Sequence, residues 1–245
     1  MNEVAIVTGA SRGIGAATAR LLAERGCRVC VNYRTEPEAA ERLCAQIEAG
    51  GGRAIAVAAD VSDAGQVERL FATVERELGP LTALVNNAAT IGPTTRVADL
   101  ELADLQRVLA VNVVGVVLCT QHALRRMAKS AGGRGGAIVN VSSGAAYIGG
   151  PGASVHYAAS KGAVNSFTIG VAQEAMADGV RVNAVSPGLT DTPMGRRTDM
   201  ALAAAAIPAG RVAEPEEVAE AIVWLLSPQA RFVAAANIRV AGGRP

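Results

Sequence analysis

Short runs of Val, Ile, Leu and Ala alternate along the chain with longer stretches whose apolar residues recur at helical spacing. The first run, Val4 to Val7, is apolar at every position, as a strand buried on both faces requires. A helix over residues 14–25 follows, stopped by Gly26, and residues 28–32 read as the second strand. The alternation continues with a helix over 36–49 closed by three glycines, a strand over 54–58, a helix over 67–78 and a strand over 83–85. Residues 102–127 keep helical periodicity over a length that suggests two consecutive helices, the second containing Asn112. A glycine-rich turn over 132–136 leads to a strand over 137–141, then a helix over 158–177 and a strand over 181–185. Residues 188–212 carry no clear period, and a helix over 216–226 and a strand over 238–240 finish the chain. This βαβ alternation predicts an α/β fold: a single-domain, Rossmann-like, doubly wound parallel sheet of about seven strands over residues 1–245, with helices on both faces. Ligands of such sheets bind at the carboxyl ends of the strands.

Composition narrows the partners. Half of the 245 residues are apolar and only 3% are aromatic, so the core is expected to be Ala, Val, Leu and Ile packed closely against Gly. The 23 Lys and Arg nearly balance the 22 Asp and Glu, and a net charge of +1 gives no broad attraction to nucleic acid or an anionic membrane. A small-molecule substrate is the expected partner. No stretch reaches the roughly 18 uninterrupted apolar residues of a membrane span, and nothing near Met1 reads as an export signal, so a cytoplasmic location is expected. Cys27 and Cys30 have C-x-x-C spacing, but on a strand their thiols turn to opposite faces. No cluster of His, Cys or carboxylates has metal-ligand spacing, and no metal is expected.

Two stretches carry candidate chemistry. After the first strand comes Thr8-Gly9-Ala10-Ser11-Arg12-Gly13-Ile14-Gly15, opening a helix. Glycines there let the backbone turn tightly and approach a pyrophosphate, which gains the free amides and the dipole of the helix N-terminus. Further along, Tyr157-Ala158-Ala159-Ser160-Lys161 sets an ammonium one helical turn from a phenol, where it favours the ionised form. Reducing a carbonyl needs a proton donor at the developing alkoxide and a second group to hold that oxygen. Ser142, closing the fifth strand, offers such a hydroxyl at the sheet edge, and Asn112 is a polar residue in a buried-looking helix that needs a partner. His156 precedes the tyrosine and is read as structural rather than catalytic; Ile91, Tyr147 and Met194 are candidates to face substrate.

The Gly-x-x-x-Gly-x-Gly spacing, with Asn112, Ser142, Tyr157 and Lys161 in order along the whole chain, resembles the classical short-chain dehydrogenase/reductase family. The resemblance implies that Tyr157 is the general acid/base and that Ser142 orients substrate. Lys161 would lower the tyrosine pKa and bind the nicotinamide ribose, while Asn112 would support a water relay. It also implies that Asp60-Val61 holds adenine and that Asn86-Asn87-Ala88-Ala89 stands for the family's Asn-Asn-Ala-Gly, with Ala89 a departure. Pro187-Gly188 is similar to the nicotinamide-side turn, with Thr192 a candidate for the carboxamide or phosphate, and residues 188–212 would cover the substrate. An NAD site usually sets a carboxylate against the adenosine ribose at the end of the second strand; here stands Asn32, followed by Tyr33 and Arg34. Arg12 and Arg34 could meet a 2′-phosphate, so NADP is expected over NAD. The expected activity is hydride transfer between NADP and a carbonyl or alcohol carbon of a sugar, polyol or ketone, since Val31-Asn32-Tyr33-Arg34 resembles glucose-dehydrogenase-like members. A 3-oxoacyl-carrier-protein reductase shares these motifs, and Arg125, Arg126 and Lys129 hint at a basic patch for its acidic partner. A nucleotide-sensing protein without turnover is the alternative of another class. By resemblance the enzyme is a homotetramer.

Overall fold

The computed structural model describes residues 3–197 and 200–244. Residues 198 and 199, inside the expected substrate-covering segment, lie outside the described residues. The chain alternates strands β1 Val4–Val7, β2 Arg28–Tyr33, β3 Arg53–Ala58 and β4 Ala83–Asn86 with helices α1 Gly13–Glu24, α2 Pro37–Ala49 and α3 Ala64–Leu78. Then come α4 Leu102–Leu109, α5 Gly115–Met127, β5 Gly136–Val141, α6 Ala145–Ile148, α7 Val155–Ala175, β6 Val180–Pro187, α8 Met200–Ala205, α9 Pro215–Leu226 and β7 Asn237–Val240. The seven strands among the described residues form one sheet in the order β3-β2-β1-β4-β5-β6-β7, every neighbouring pair parallel. The order reverses between β1 and β4, and there a doubly wound sheet opens a crevice.

Strand alternation divides the core in two. Ala5 and Val7 of β1 join Leu22 of α1, Leu43 and Ile47 of α2, and Val218 and Ile222 of α9 on one face. Val4 and Ile6 join Leu70, Phe71 and Val74 of α3, Ala123 and Met127 of α5, and Val171 of α7 on the other. All four β1 residues are fully buried, and each Val or Ile so placed contributes about 1.5–3 kcal/mol. Cys27 and Cys30 fall in opposite cores. Burial pushes the thiols of Cys27 and Cys44 up to about 11 and that of Cys119 to about 12, so they pack as small apolar groups.

Two expectations are corrected. Residues 102–127 are one continuous run, in which a π turn at Ala110–Val114 joins α4 to α5. Gly115 does not break it: a Cβ there would meet Val61 Cγ2 at 2.8 Å, so the glycine serves close packing of the helix on the β3 end. And α7 begins at Val155, three residues earlier than expected, which brings Tyr157 and Lys161 into the same helix. A buried polar chain pins the strand ends below the crevice. Asn86 donates to Asn140 Oδ1 (2.8 Å) and Thr120 Oγ1 (3.1 Å), and Asn140 donates to Thr168 Oγ1 (2.9 Å), joining β4, β5, α5 and α7.

Candidate active site

Above the strand ends lies a cavity of about 870 Å³. Ser11, Arg12, Arg34, Glu36 and Asp60 line it toward β2 and β3, while Ser143, Ile148, Tyr157, Lys161, Leu189 and Met194 line it toward β5 and β6.

At the first end the glycine turn is held at backbone distance. Gly9 has φ +60°, and a Cβ on it would stand 2.8 Å from Ala88 Cα. A Cβ on Gly15 would stand 2.5 Å from Asn87 Nδ2, which donates to the carbonyls of Thr8 and Gly9 at 2.9 Å each. Thr8 Oγ1 in turn accepts from the amides of Asn87 and Ala88 at 3.0 Å each. The α1 N-terminus, with Arg12 at the cap and Gly13 and Ile14 in its first turn, has no side-chain cap and no acid in that turn. Its first amides are therefore free for an anion, so the turn fits the pyrophosphate of a dinucleotide. Ala89, where the family has glycine, causes no strain, since Ala235 is the one non-glycine with positive φ among the described residues.

Asn32 lines the cavity, but its side-chain amide is engaged inside the fold. It is 1% exposed; its Oδ1 accepts from the Gly9 amide (3.2 Å) while Nδ2 donates to the Val57 (3.2 Å) and Ala59 (3.1 Å) carbonyls. The side chain is an internal brace between the glycine turn, β2 and β3. Tyr33, Arg34 and Val61 also line the cavity. Arg34 lies 3.5 Å from Asp60 Oδ2, and Asp60 Oδ1 accepts from the Ser62 amide (2.9 Å) and hydroxyl (2.6 Å). Arg12 forms an ion pair with Glu36, whose role is hidden in the sequence because an acid at a helix start is ordinary. On the far side Gly188 donates its amide to Val240 O at 2.9 Å, directly after Pro187. The Thr192 hydroxyl is engaged within its own turn, accepting from the Gly195 amide at 3.1 Å.

At the second end Tyr157 is 8% exposed and Lys161 2%. Lys161 Nζ donates to the Val141 carbonyl at 2.7 Å and stands 5.8 Å from the centre of the Tyr157 ring. Burial lowers the lysine to about 8. Burial also holds the phenol above its ordinary value, against a weaker opposite pull from its hydrogen bond with the Ser143 side chain. Desolvation, rather than the ammonium 5.8 Å from the ring, thus sets the direction of the phenol's shift.

Ser142 is 3% exposed and its hydroxyl donates to the Lys161 carbonyl at 3.1 Å, bracing α7 against β5. The next residue, Ser143, also just past the end of β5, interacts with the phenol. Asn112, fully buried in the π turn, grips Thr90 from both sides, accepting from its amide (2.8 Å) and donating to its carbonyl (2.9 Å). It also donates to Ser160 Oγ at 3.0 Å, and Ser160 donates to the Tyr157 carbonyl at 2.7 Å. His156, 4% exposed, meets the Ile91 carbonyl at 3.1 Å and fixes the same loop. Ile91 and Met194 line the cavity, whereas Tyr147 lies beside Arg239, 5.1 Å from its guanidinium.

Comparison with known proteins agrees with this architecture. Residues 9–244 match a family model described as Enoyl-(Acyl carrier protein) reductase. The chain is 45% identical to a cis-4-hydroxycyclohexanecarboxylate dehydrogenase from Sinomonas cyclohexanicum, over 98% of this chain and 96% of that one. It is 41% identical to a 3-oxoacyl-[acyl-carrier-protein] reductase from Synechocystis, over 98% of this chain and 96% of that one. A crystal structure of a short chain dehydrogenase from Burkholderia cenocepacia in complex with NADP superposes with a TM-score of 0.93 at 34% identity, covering 100% of this chain and 98% of that one. The chain belongs to the short-chain dehydrogenase/reductase family and is an NAD(P)-dependent oxidoreductase acting on alcohol and ketone groups.

Proposed function

We propose that the protein is an NADP-dependent oxidoreductase that interconverts a ketone and a secondary alcohol on a small substrate. The observation that carries this is the buried phenol of Tyr157, with Ser143 and Lys161 at one end of a cavity whose other end holds Arg12 and Arg34. A bound nicotinamide supplies or accepts the hydride. Tyr157, protonated at neutral pH, donates its proton to the carbonyl oxygen as that oxygen becomes basic, a role worth about 10²–10⁴ in rate. The Ser143 hydroxyl then stabilises the phenolate left behind, and the Lys161 ammonium adds favourable potential. Asn112 and Ser160 position the start of α7 rather than touching the reacting atoms. Arg12 and Arg34 are the cations for a 2′-phosphate, and the NADP bound by the Burkholderia structure supports the same choice.

The substrate end sets the apolar Ile91, Ile148, Leu189 and Met194 beside the polar Thr90, Thr94 and Ser154, a mixed lining that supports a ring or aliphatic ketone bearing a polar group over a sugar or polyol. Arg244 also lines the cavity, and the two acids among its described lining residues, Glu36 and Asp60, stand at the nucleotide end. That charge pattern supports a substrate bearing a carboxylate, like the one named for the Sinomonas relative. The carrier-protein reading has less support: Arg126 is engaged with Glu75 and His122, and Arg125, Arg126 and Lys129 are not among the cavity-lining residues. Residues 188–212 would cover the substrate, and the exposed Leu102, Leu109 and Val114 support burial of the α4–α5 run in a homotetramer, which light scattering would test.

NADPH consumption with cyclic ketones, with and without a carboxylate, tests the proposal against sugars and acyl thioesters. Turnover is expected with the ketones and is best with the carboxylates. Binding of NADPH with no turnover of any of these would favour the nucleotide-sensing alternative, and turnover of thioesters alone would favour the carrier-protein one.

A further inference from the structure

The corner that would receive the adenosine ribose holds two cations and two carboxylates, each cation already engaged. Arg34 faces Asp60 at 3.5 Å. Arg12 is ion-paired with Glu36, and the Ser11 hydroxyl lies 3.4 Å from the other carboxylate oxygen of the same residue. All five side chains belong to residues lining the cavity. Glu36 thus occupies both polar groups that the glycine turn offers at this corner.

Resting on the NADP assignment above, we infer that Glu36 sets the strictness of cofactor choice. A 2′-phosphate that takes Ser11 and the Nη1 side of Arg12 competes with the Glu36 carboxylate, and where Arg12 serves both, the carboxylate stands near the phosphate and repels it. A free 2′-hydroxyl meets no such obstacle, since a carboxylate accepts its hydrogen bond. Glu36 therefore weakens binding of the phosphorylated cofactor and supports the unphosphorylated one, leaving the site permissive where two arginines alone would make it strict. Its side chain is 35% exposed and that of Arg12 is 58% exposed, so the pair is screened and its removal leaves the fold intact.

The test is fluorescence titration of NADPH and NADH against the wild type, Glu36→Gln and Arg12→Ala, with melting temperatures as a check on folding. Glu36→Gln should tighten NADPH by about two- to fivefold, the range of one exposed ion pair, and leave NADH unchanged or weaker. Arg12→Ala should weaken NADPH and spare NADH. An unchanged ratio of the two affinities in Glu36→Gln, in a protein that binds NADPH normally, overturns the role of Glu36. A wild type that binds NADH and not NADPH overturns instead the cofactor assignment on which it rests.

Discussion

Lys161 is 2% exposed, and its ammonium donates to the Val141 carbonyl. Removing that charge from water is expensive, which is why the group falls to about 8 from an ordinary 10.5. Below pH 8 the folded and unfolded chains both hold the proton, and the burial cost is present in full. Between 8 and 10.5 the unfolded chain keeps a proton that the folded one has released, so stability rises with pH across that window. Lys161→Met should therefore stabilise the protein at pH 7 by about 1–2 kcal/mol, allowing for the lost hydrogen bond. The gain should shrink as the pH approaches 10.5, and thermal melts of both proteins at several pH values check it. A variant less stable than wild type at pH 7 would show that the ammonium is better accommodated than its burial implies. The sequence made Tyr157 and Lys161 legible as a pair, because a four-residue spacing on a helix is a local fact. It left the direction of the phenol's shift illegible, because desolvation depends on what packs around α7 from β5 and from the loop at Ile91.

At the scale of elements, the end of β5 decides which serine works. Ser142 and Ser143 are adjacent and chemically identical, both line the cavity just past the end of β5, and they take different partners. Ser142 bonds the α7 backbone while Ser143 bonds the phenol. Ser143→Ala should lower kcat by about 10²-fold with little change in stability, as loss of a donor at the reacting oxygen does. Ser142→Ala should leave turnover within a few fold and cost about 1 kcal/mol in chemical denaturation. The reverse pattern would restore Ser142 to the reacting centre. One residue at the end of β5 separates the two outcomes, and a periodic pattern fixes the face of an element more firmly than its last residue. The same limit explains Asn32, which sits one residue before the end of β2 and turns inward to brace Gly9. It explains the π turn too: the 102–127 periodicity was legible, but the extra residue that re-aims Asn112 at Thr90 is set by packing against that loop.

Over the whole molecule, the fold was the most legible part, since seven apolar runs separated by helices leave few ways to wind a parallel sheet. The crevice between β1 and β4 follows from that winding and gathers residues from Gly9 to Arg244 into one cavity. What sequence spacing does not convey is charge balance inside it. Arg12 and Arg34 stood out as cations, but their engagement by Glu36 and Asp60 arises only when the β2 and β3 ends meet the glycine turn. The account depends above all on a phenol that is kept in its acid form and gives its proton to the substrate oxygen. Tyr157→Phe, which keeps the ring and removes the hydroxyl, measures that most directly when NADPH binding and ketone turnover are followed together. The account predicts NADPH affinity within about threefold of wild type and turnover reduced by about 10³-fold. A variant that retains a large fraction of wild-type turnover would contradict it.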